Sequence, residues 1–206
     1  DPARLEALHQ HSPNVTVRLF DMTDRDACRQ ALTGCYAAVV ILCAGTCEYL
    51  NHGDVDAALV ERVMNTNFLG PVNCLAALQP QLAAGNRVVL VSSMAHWLHF
   101  PRAEAYGASK AALTWFAETL RLDWEPKGIG VTVVSPGFVD TPLTQKNDFA
   151  MPGRVSVDDA VKAIRSGLAK EKNHIAFPGS FGLILRLLSA LPAFLQNALL
   201  RRMVRS

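Results

Sequence analysis

Two side chains that could transfer a proton stand four residues apart in AEAYGASKAAL, residues 103–113. The spacing of Tyr106 and Lys110 puts both side chains on one face of a helix, one turn apart. A lysine ammonium beside a phenol favours the phenolate, so we expect Lys110 to lower the pKa of Tyr106 from its usual value of about 10. Such a tyrosine can act as a general acid or base near neutral pH. The pair alone is a weak indication, because this spacing also arises by chance.

Further polar residues could join this pair. Ser93 lies 13 residues before Tyr106, at the end of an apolar run. Ser92 competes with Ser93 for a catalytic role, although its spacing to Tyr106 fits less well. Asn67 lies in MNTNFLG, on the helix predicted before that run. Its amide could serve the site, or it could only hydrogen-bond the backbone where the helix is irregular.

The elements that must position these residues alternate along the chain, which predicts βαβ units and a mostly parallel sheet. The three middle strands are apolar, which is typical of strands buried on both faces. The predicted strands are 15–20, 36–45, 86–93, 129–137 and 174–178. The predicted helices are 23–32, 54–84, 106–126 and 156–170.

Local sequence patterns predict where these helices begin and break. The first helix has Thr23 as its N-cap and Asp26 at the capping-box position, and the last begins on a serine cap. Gly70-Pro71 predicts an irregularity inside the long second helix. The opening residues 1–11 resemble the first turns of another helix, with an aspartate cap followed by proline.

Small and polar residues follow the predicted strands, where ligands of parallel sheets bind. Loops are commonly polar and rich in glycine, so this observation alone does not identify a site. The residues concerned are Asp21, Cys43-Ala44-Gly45, Ser92 with Ser93, and Pro136 with Gly137.

The composition predicts one globular domain over residues 1–206, with a core over 1–178 and an apolar helical extension over 179–206. The formal net charge of +2 is dispersed, which argues against a nucleic-acid surface. An odd number of cysteines, five, without a C-x-x-C pair argues against both a disulfide framework and a zinc site. His96 and His99 are more typical of a substrate loop or a surface than of metal ligands.

Several motifs occur together and in order: DMTD (21–24), CAG (43–45), NTNFLG (65–70), VVLVSS (88–93), YGASK (106–110) and SPGFVDTP (135–142). With these motifs the chain resembles the short-chain dehydrogenase/reductase family across nearly its whole length. The resemblance implies an α/β fold, a Rossmann-like doubly wound parallel sheet with helices on both faces. It also implies an oxidoreductase that transfers a hydride between NAD(P)(H) and a carbonyl or secondary alcohol.

The resemblance implies catalytic roles for four residues. Tyr106 would be the general acid in reduction or the base in oxidation, and Lys110 would lower its pKa and hold the nicotinamide ribose. Ser93 would hydrogen-bond the substrate oxygen and stabilise it in the transition state. Asn67 would hold a water that connects Lys110 to solvent.

The resemblance also implies a set of cofactor-binding residues. Asp21 would contact the adenine, although it could instead cap the next helix together with Thr23. The turn at 43–45 would let the backbone approach the cofactor closely. The cofactor would be NADP or NAD, with NADP favoured for a reductase. The full set is Asp21, Met22, Cys43, Ala44, Gly45, Tyr106, Lys110, Pro136, Gly137, Val139 and Thr141.

Two features depart from the family's pattern. Cys43 stands where the family usually has asparagine, and a thiol cannot match the hydrogen bonds of an amide. No histidine is near it in sequence, so we expect a small buried thiol and not a nucleophile. The family begins with a βαβ portion that contains a TGxxxGxG turn, and this chain contains no Gly-x-x-x-Gly-x-Gly. We therefore expect an N-terminally incomplete fold.

Such a fold would leave strand 15–20 without its neighbour and strand 36–45 with an exposed apolar edge. Three explanations stay open: part of a longer enzyme, a truncated gene product, or direct pairing of 15–20 with 36–45 in a smaller inactive fold. The rival function is a non-catalytic interaction protein, a dehydrogenase-like remnant that kept the helices 54–84 and 106–126 for dimerisation.

The C-terminal stretch 181–206 is apolar with interspersed arginines. Arg186 and Pro192 interrupt it, so no part reaches the roughly 18–20 apolar residues of a membrane span. It could lie on a membrane as an amphipathic helix pair, cover the substrate pocket or pack on another subunit. We expect an apolar small-molecule substrate, a homodimer or homotetramer, and a cytoplasmic protein that could contact a membrane through this stretch.

Overall fold

The computed structural model of the chain describes residues 14–51, 53–147 and 149–204. Within them, four parallel strands form one sheet in the order β1-β2-β3-β4. The strands are β1 (Val39–Leu42), β2 (Arg87–Val91), β3 (Gly130–Pro136) and β4 (His174–Phe177). The helix predicted for residues 1–11 lies outside the described residues.

Helices occupy most of the chain between and after these strands. They are α1 (Arg25–Leu32), α2 (Ala57–Met64), α3 (Gly70–Leu78), α4 (Glu104–Trp124), α5 (Val157–Ala169), α6 (Gly179–Ser189) and α7 (Ala193–Val204). The predicted serine cap of α5 is confirmed, because the Ser156 hydroxyl accepts a hydrogen bond from the Asp159 backbone N–H.

The sheet separates two apolar cores, since successive side chains of a strand point to opposite faces. On one face, Val88 and Leu90 of β2 pack in a cluster that includes Leu113 of α4. On the other face, Val89 packs in a cluster that includes Ala160 of α5. Helices therefore cover both faces, which confirms the predicted Rossmann-like α/β fold class.

Strand β1 differs from the prediction of a strand buried on both faces. Val40 is buried in the first core, but Val39 and Ile41 are 46% and 52% exposed. Neither Val39 nor Ile41 belongs to the second core, so this face of β1, at the edge of the described sheet, stays open to solvent. Cys43 follows β1 and is exposed as well, so the expectation of a buried thiol is wrong.

The segment 15–20 is not one of the strands of the described sheet. Strand pairing is made by backbone hydrogen bonds between neighbours, and β1 pairs with β2 alone among the described strands. The explanation in which 15–20 pairs directly with 36–45 is therefore wrong.

The first helix begins one residue later than predicted. Its N-cap is Asp24, whose carboxylate accepts hydrogen bonds from the backbone N–H groups of Asp26 and Ala27. The prediction of Thr23 as the cap, with Asp26 in a capping box, is wrong. The Thr23 hydroxyl instead donates to Asp21, and a carboxylate at the next position supplies the stronger acceptor for the helix start.

The long second helix is irregular next to Gly70-Pro71, as predicted. Between α2 and α3, Asn65–Leu69 form a π-helical turn. Pro71 has no N–H to donate to the preceding turn, and its ring crowds a regular α-helix. The wider turn matters because it contains Asn67.

Two helices, α6 and α7, occupy the predicted C-terminal extension, and Pro192 lies between them. In α6, Gly182 packs so closely on Met94 that an added Cβ would lie 2.9 Å from the methionine Cε. The helix α6 therefore lies against the segment that follows β2. Among residues 14–51, 53–147 and 149–204, no helix is both long and apolar enough to cross a membrane.

Candidate active site

Tyr106 and Lys110 lie in the first turns of α4, on one face of the helix as predicted. The Lys110 Nζ atom is 5.8 Å from the centroid of the Tyr106 ring. It donates a hydrogen bond of 2.9 Å to the carbonyl oxygen of Val91, at the carboxyl end of β2. Lys110 is only 4% exposed. The pair therefore lies where parallel sheets bind ligands.

The pKa of Tyr106 shifts in the direction opposite to the prediction. Burial raises the pKa of Tyr106 to about 12, and a hydrogen bond with Ser93 lowers it by less. The prediction of a lowered pKa is wrong in this structure, because the Lys110 ammonium donates to a backbone carbonyl and desolvation disfavours the phenolate. Burial also lowers the pKa of Lys110, to about 8.

The structure distinguishes the two serines that compete in the sequence. Ser93 lies close enough to Tyr106 to lower the pKa of the phenol, and its hydroxyl accepts from the Ala95 backbone N–H at 3.1 Å. That acceptance leaves the Ser93 hydroxyl proton available to a neighbouring oxygen. Ser92 is 3% exposed, donates to the Lys110 carbonyl and shares a 2.7 Å hydrogen bond with Thr114. Ser92 therefore holds β2 against α4 and does not reach Tyr106.

Asn67 ties three elements together through its side-chain amide. Its Oδ1 accepts from the Thr46 N–H at 2.8 Å, and its Nδ2 donates to the Thr46 carbonyl and to Ser109 Oγ, each at 2.9 Å. Ser109 Oγ in turn donates to the Tyr106 carbonyl. The fully buried amide thus fixes the loop after β1 to α4, which agrees with the second interpretation of Asn67, a hydrogen bond to backbone at the helix irregularity.

The turn 43–45 brings open backbone next to the buried lysine. A Cβ added to Gly45 would lie 3.3 Å from Asn67 Oδ1 and 3.4 Å from Lys110 Nζ. Cys43, Ala44 and Gly45 are all exposed, so a ligand can approach this backbone from solvent.

Asp21 and Met22 lie beside this turn. They line a cavity of about 370 Å³ together with Thr23, Thr46, Glu48, Arg62, Asn65 and Thr66. Hydrogen bonds from the backbone and hydroxyl of Thr23 lower the pKa of Asp21. The carboxylate is thus already engaged in a local turn, and Asp24 caps the helix in its place.

Four predicted residues lie at the carboxyl end of β3 or shortly after it. Gly137 lies beside the segment that carries Ser93, since a Cβ added to it would lie 3.5 Å from Met94 Sδ. The Thr141 N–H donates to the Thr144 hydroxyl in a local turn. Val139 packs into the core cluster of α5, so its side chain does not face Tyr106. The half-buried Pro136 ends β3.

Sequence analysis missed several residues of the site wall. Tyr49 follows the turn 43–45 and donates to Asn147 at 2.8 Å, and Cys47 influences its pKa. Burial raises the pKa of both Tyr49 and Cys47. Phe149 meets the Tyr49 ring edge-to-face at 5.8 Å, and Phe138 meets Phe149 at 6.0 Å. The sequence signal for this part of the site is a stretch of polar and aromatic residues directly after the predicted strand 36–45.

Among the residues that the structure describes, no group of three or more histidines, cysteines, aspartates or glutamates is placed to hold a metal ion. The five cysteines are free thiols. Cys28 and Cys74 are neighbours, with a distance of 3.9 Å between their sulfur atoms.

The sequence profile of the short chain dehydrogenase family matches residues 2–151. The chain belongs to the short-chain dehydrogenase family. An uncharacterised oxidoreductase of Myxococcus xanthus (strain DK1622) is 36% identical over 146 residues, which are 70% of this chain and 58% of that protein. The 11-beta-hydroxysteroid dehydrogenase 1A of Arabidopsis thaliana is 32% identical over 168 residues, 76% of this chain and 46% of that protein. The chain spans about half the length of these curated relatives.

Solved structures of this family share the fold. A short-chain dehydrogenase from Burkholderia cenocepacia J2315 in complex with NADP has a TM-score of 0.82 at 24% identity, over 95% of this chain and 82% of that one. The NADPH-bound carbonyl reductase from chicken fatty liver has a TM-score of 0.74 at 20% identity, over 86% of this chain and 80% of that one. A short-chain dehydrogenase/reductase from Burkholderia phymatum was solved with NAD, with a TM-score of 0.77 at 19% identity, over 90% of this chain and 79% of that one.

Proposed function

We propose that this protein is a nicotinamide-dependent oxidoreductase that reduces a carbonyl group, with Ser93, Tyr106 and Lys110 as its catalytic residues. The observation that carries the proposal is the place of Tyr106, whose pKa Ser93 lowers, at 5.8 Å from the ammonium of a lysine that is 4% exposed. Family membership supports the reaction class. A remnant kept only for dimerisation has no need of a buried ammonium, which is costly to maintain.

The residues act on the proton and the oxygen of the substrate. The raised pKa of Tyr106 keeps its phenol protonated at neutral pH, which suits a general acid that donates to the carbonyl oxygen. Ser93 donates its free hydroxyl proton to the same oxygen and stabilises the developing charge. When bound, a nicotinamide supplies the hydride. The proton that Tyr106 loses is restored through Lys110, whose pKa of about 8 allows both protonation states.

We propose that the residues around 43–45 hold the cofactor's ribose and adenine side. The support is the open backbone of Gly45 beside Lys110 and the cavity that contains Asp21 and Met22. Asn67 would act by fixing this turn, since its amide is fully used by protein groups. Neighbours of known structure were solved with NADP, NADPH or NAD, so the preference for NADP stays a proposal.

We propose an apolar, ring-containing carbonyl compound as the substrate. A row of aromatic rings extends from the loop after β1 to α6, and each ring contacts the next: Tyr49, Phe149, Phe138 and Phe181. This aromatic row offers an apolar wall near Tyr106, whose charge also influences the pKa of Tyr49. Relatives named hydroxysteroid dehydrogenase and a neighbour named carbonyl reductase agree with this class.

We propose a homodimer or homotetramer that pairs through α4. The exposed face of α4 carries small and apolar residues at spacings of three or four: Ala108, Ala111, Trp115, Thr119 and Leu122. Trp115 is 79% exposed and Leu122 is 68% exposed. Side chains of this size exposed in a row are typical of a subunit interface.

Contact of the C-terminal helices with a membrane surface is a separate proposal. On α6, Leu183, Ile184 and Leu187 are 61%, 53% and 62% exposed on one side of the helix. Co-sedimentation with phosphatidylserine vesicles tests it, with Leu183→Ser/Leu187→Ser as the control. Equal sedimentation of the two proteins would contradict it.

The function is tested by titrating the protein with NADPH and NADH and assaying a panel of apolar ketones. Tyr106→Phe should keep cofactor affinity and lose turnover by about 10²–10⁴-fold, the usual contribution of a general acid. Tyr36→Phe is the matched control, because Tyr36 is 82% exposed. Turnover that survives in Tyr106→Phe would sink the proposal.

A further inference from the structure

His96 contacts the loop that follows β2 and carries Ser93, which is called the Ser93 loop below. Its Nδ1 lies within hydrogen-bonding distance of the Ser93 carbonyl oxygen, and its backbone N–H donates to the same oxygen at 3.2 Å. A carbonyl only accepts hydrogen bonds, so Nδ1 must carry the proton. Both lone pairs of the Ser93 carbonyl are thus filled by one residue.

The His96 ring is in turn supported by residues of β3, β4 and α4. It stacks on the His174 ring at 6.3 Å with an interplanar angle of 15°. His174 Nε2 is 3.3 Å from Ser135 Oγ of β3, and its Nδ1 is 3.6 Å from Glu118 Oε1 of α4. Ser135 is fully buried, so this anchor belongs to the rigid centre of the sheet.

The helix α6 packs against the neighbours of His96 in the Ser93 loop. Trp97 meets the His96 ring edge-to-face at 5.1 Å, and the Arg186 guanidinium lies 4.7 Å above the Trp97 ring. Gly182 packs against Met94, the residue after Ser93. The Ser93 loop is therefore backed by β3, β4, α4 and α6 through the two stacked histidines and their neighbours.

We propose that His96, supported by His174 and Glu118, is a positioning residue that fixes the Ser93 loop so that the Ser93 hydroxyl meets Tyr106. The inference rests on the proposed function. His96 hydrogen-bonds the backbone oxygen of Ser93 and would act on Tyr106 through the Ser93 loop. An error of 1 Å in the position of a catalytic hydroxyl is enough to slow a reaction severely.

Burial favours uncharged imidazoles, and the hydrogen bond to Ser93 offsets part of this effect by raising the pKa of His96. Burial lowers the pKa of both His96 and His174, and Arg186 lowers both further, while Glu118 raises both. Arg121 and His96 also lower the pKa of His174. If pH falls through these lowered values, two stacked cations face Arg186 and Arg121 against the single carboxylate of Glu118. We expect turnover to fall on the acid side as the stack loosens.

The test compares His96→Ala, His96→Asn and the control His99→Ala in the whole protein. His99 is exposed and lies in the same loop. In His96→Ala we expect kcat to fall about 5- to 20-fold with unchanged cofactor Kd, from the loss of one positioning hydrogen bond. In His96→Asn, an amide N–H replaces Nδ1–H, so kcat returns towards wild type and the acid-side loss of activity moves or disappears. His99→Ala should match wild type throughout.

A second readout does not depend on activity. Nitrogen-15 NMR of labelled histidines should show His96 as the neutral Nδ1–H tautomer at pH 7.5. Finding the Nε2–H tautomer would overturn the inference, as would an active His96→Ala protein with wild-type kcat. A wild-type protein that shows the Nδ1–H signal but neither binds cofactor nor reduces ketones would contradict the proposed function instead.

Discussion

Replacing each of two adjacent serines with alanine should separate catalysis from stability. Ser92→Ala removes a buried hydroxyl that bonds Thr114 at 2.7 Å and the Lys110 carbonyl at 3.1 Å. Ser93→Ala removes the hydroxyl that lowers the pKa of Tyr106 and that caps the short turn after Ser93. The two proteins differ from each other by the position of a single oxygen atom.

The magnitudes follow from burial. In Ser92→Ala, the Thr114 hydroxyl, in a residue 7% exposed, is left without its partner, which costs about 1–3 kcal/mol. For a chain of 206 residues, this lowers the melting temperature by about 2–12 °C. Turnover per folded molecule should stay near wild type. In Ser93→Ala, the lost cap costs about 1 kcal/mol. Its kcat/KM should fall about 10²–10³-fold, the usual cost of removing one oxyanion donor.

The assay is thermal unfolding together with ketone reduction, in which rates are divided by the concentration of folded protein. The expected pattern is crossed: Ser92→Ala loses mainly stability, and Ser93→Ala loses mainly activity. If Ser92→Ala loses as much activity as Ser93→Ala at matched folded fractions, the assignment of Ser93 from the Tyr106 contact is refuted.

Three further predictions concern packing, titration and assembly. Gly167→Ala should destabilise the fold by about 1–2 kcal/mol in urea unfolding, because a Cβ there would lie 2.6 Å from Ile175 Cγ1. The higher helix propensity of alanine offsets only part of this strain. Gly179→Ala, with open space around it, should be neutral, and equal effects of the two would contradict this packing. The pKa of Lys110 is lowered to about 8 from 10.5, so between pH 8 and 10 the unfolded chain binds more protons than the folded protein and the free energy of unfolding should rise with pH. Lys110→Met should remove this part of the pH dependence. An unchanged slope of the free energy of unfolding against pH would contradict the prediction. Trp115→Glu should lower the mass in light scattering to that of a monomer, and an unchanged oligomer would exclude α4 from the interface.

Sequence patterns predicted the parts of the fold that depend on local chemistry. The apolar runs of β2 and β3 and the serine cap of α5 each carry their own signal, as does the break before Gly70-Pro71. An apolar run cannot distinguish a central strand from an edge strand, which is why the exposure of Val39 was not predicted. Residues 15–20 do not form the predicted strand, because strand pairing depends on a neighbouring strand and not on the segment itself.

The candidate site also has features that local sequence patterns predict and features that arise only from the folded structure. The spacing of Tyr106 and Lys110 placed both on one face of α4, since helical geometry is local. The direction of the Tyr106 pKa shift was wrong because burial is a property of the folded site. The stacking of His96 on His174, residues distant in sequence, is created only by the packing of β4 beside β3.

The most direct test of the central claim follows the hydride itself. The protein is incubated with an apolar ketone and NADPH deuterated at the transferable position of the nicotinamide ring, and the alcohol is analysed by mass spectrometry and NMR. The account predicts one deuterium on the carbinol carbon with wild-type protein and almost none with Tyr106→Phe, although both bind the cofactor. A wild-type protein that binds the cofactor but transfers no deuterium to any ketone of the panel would contradict it.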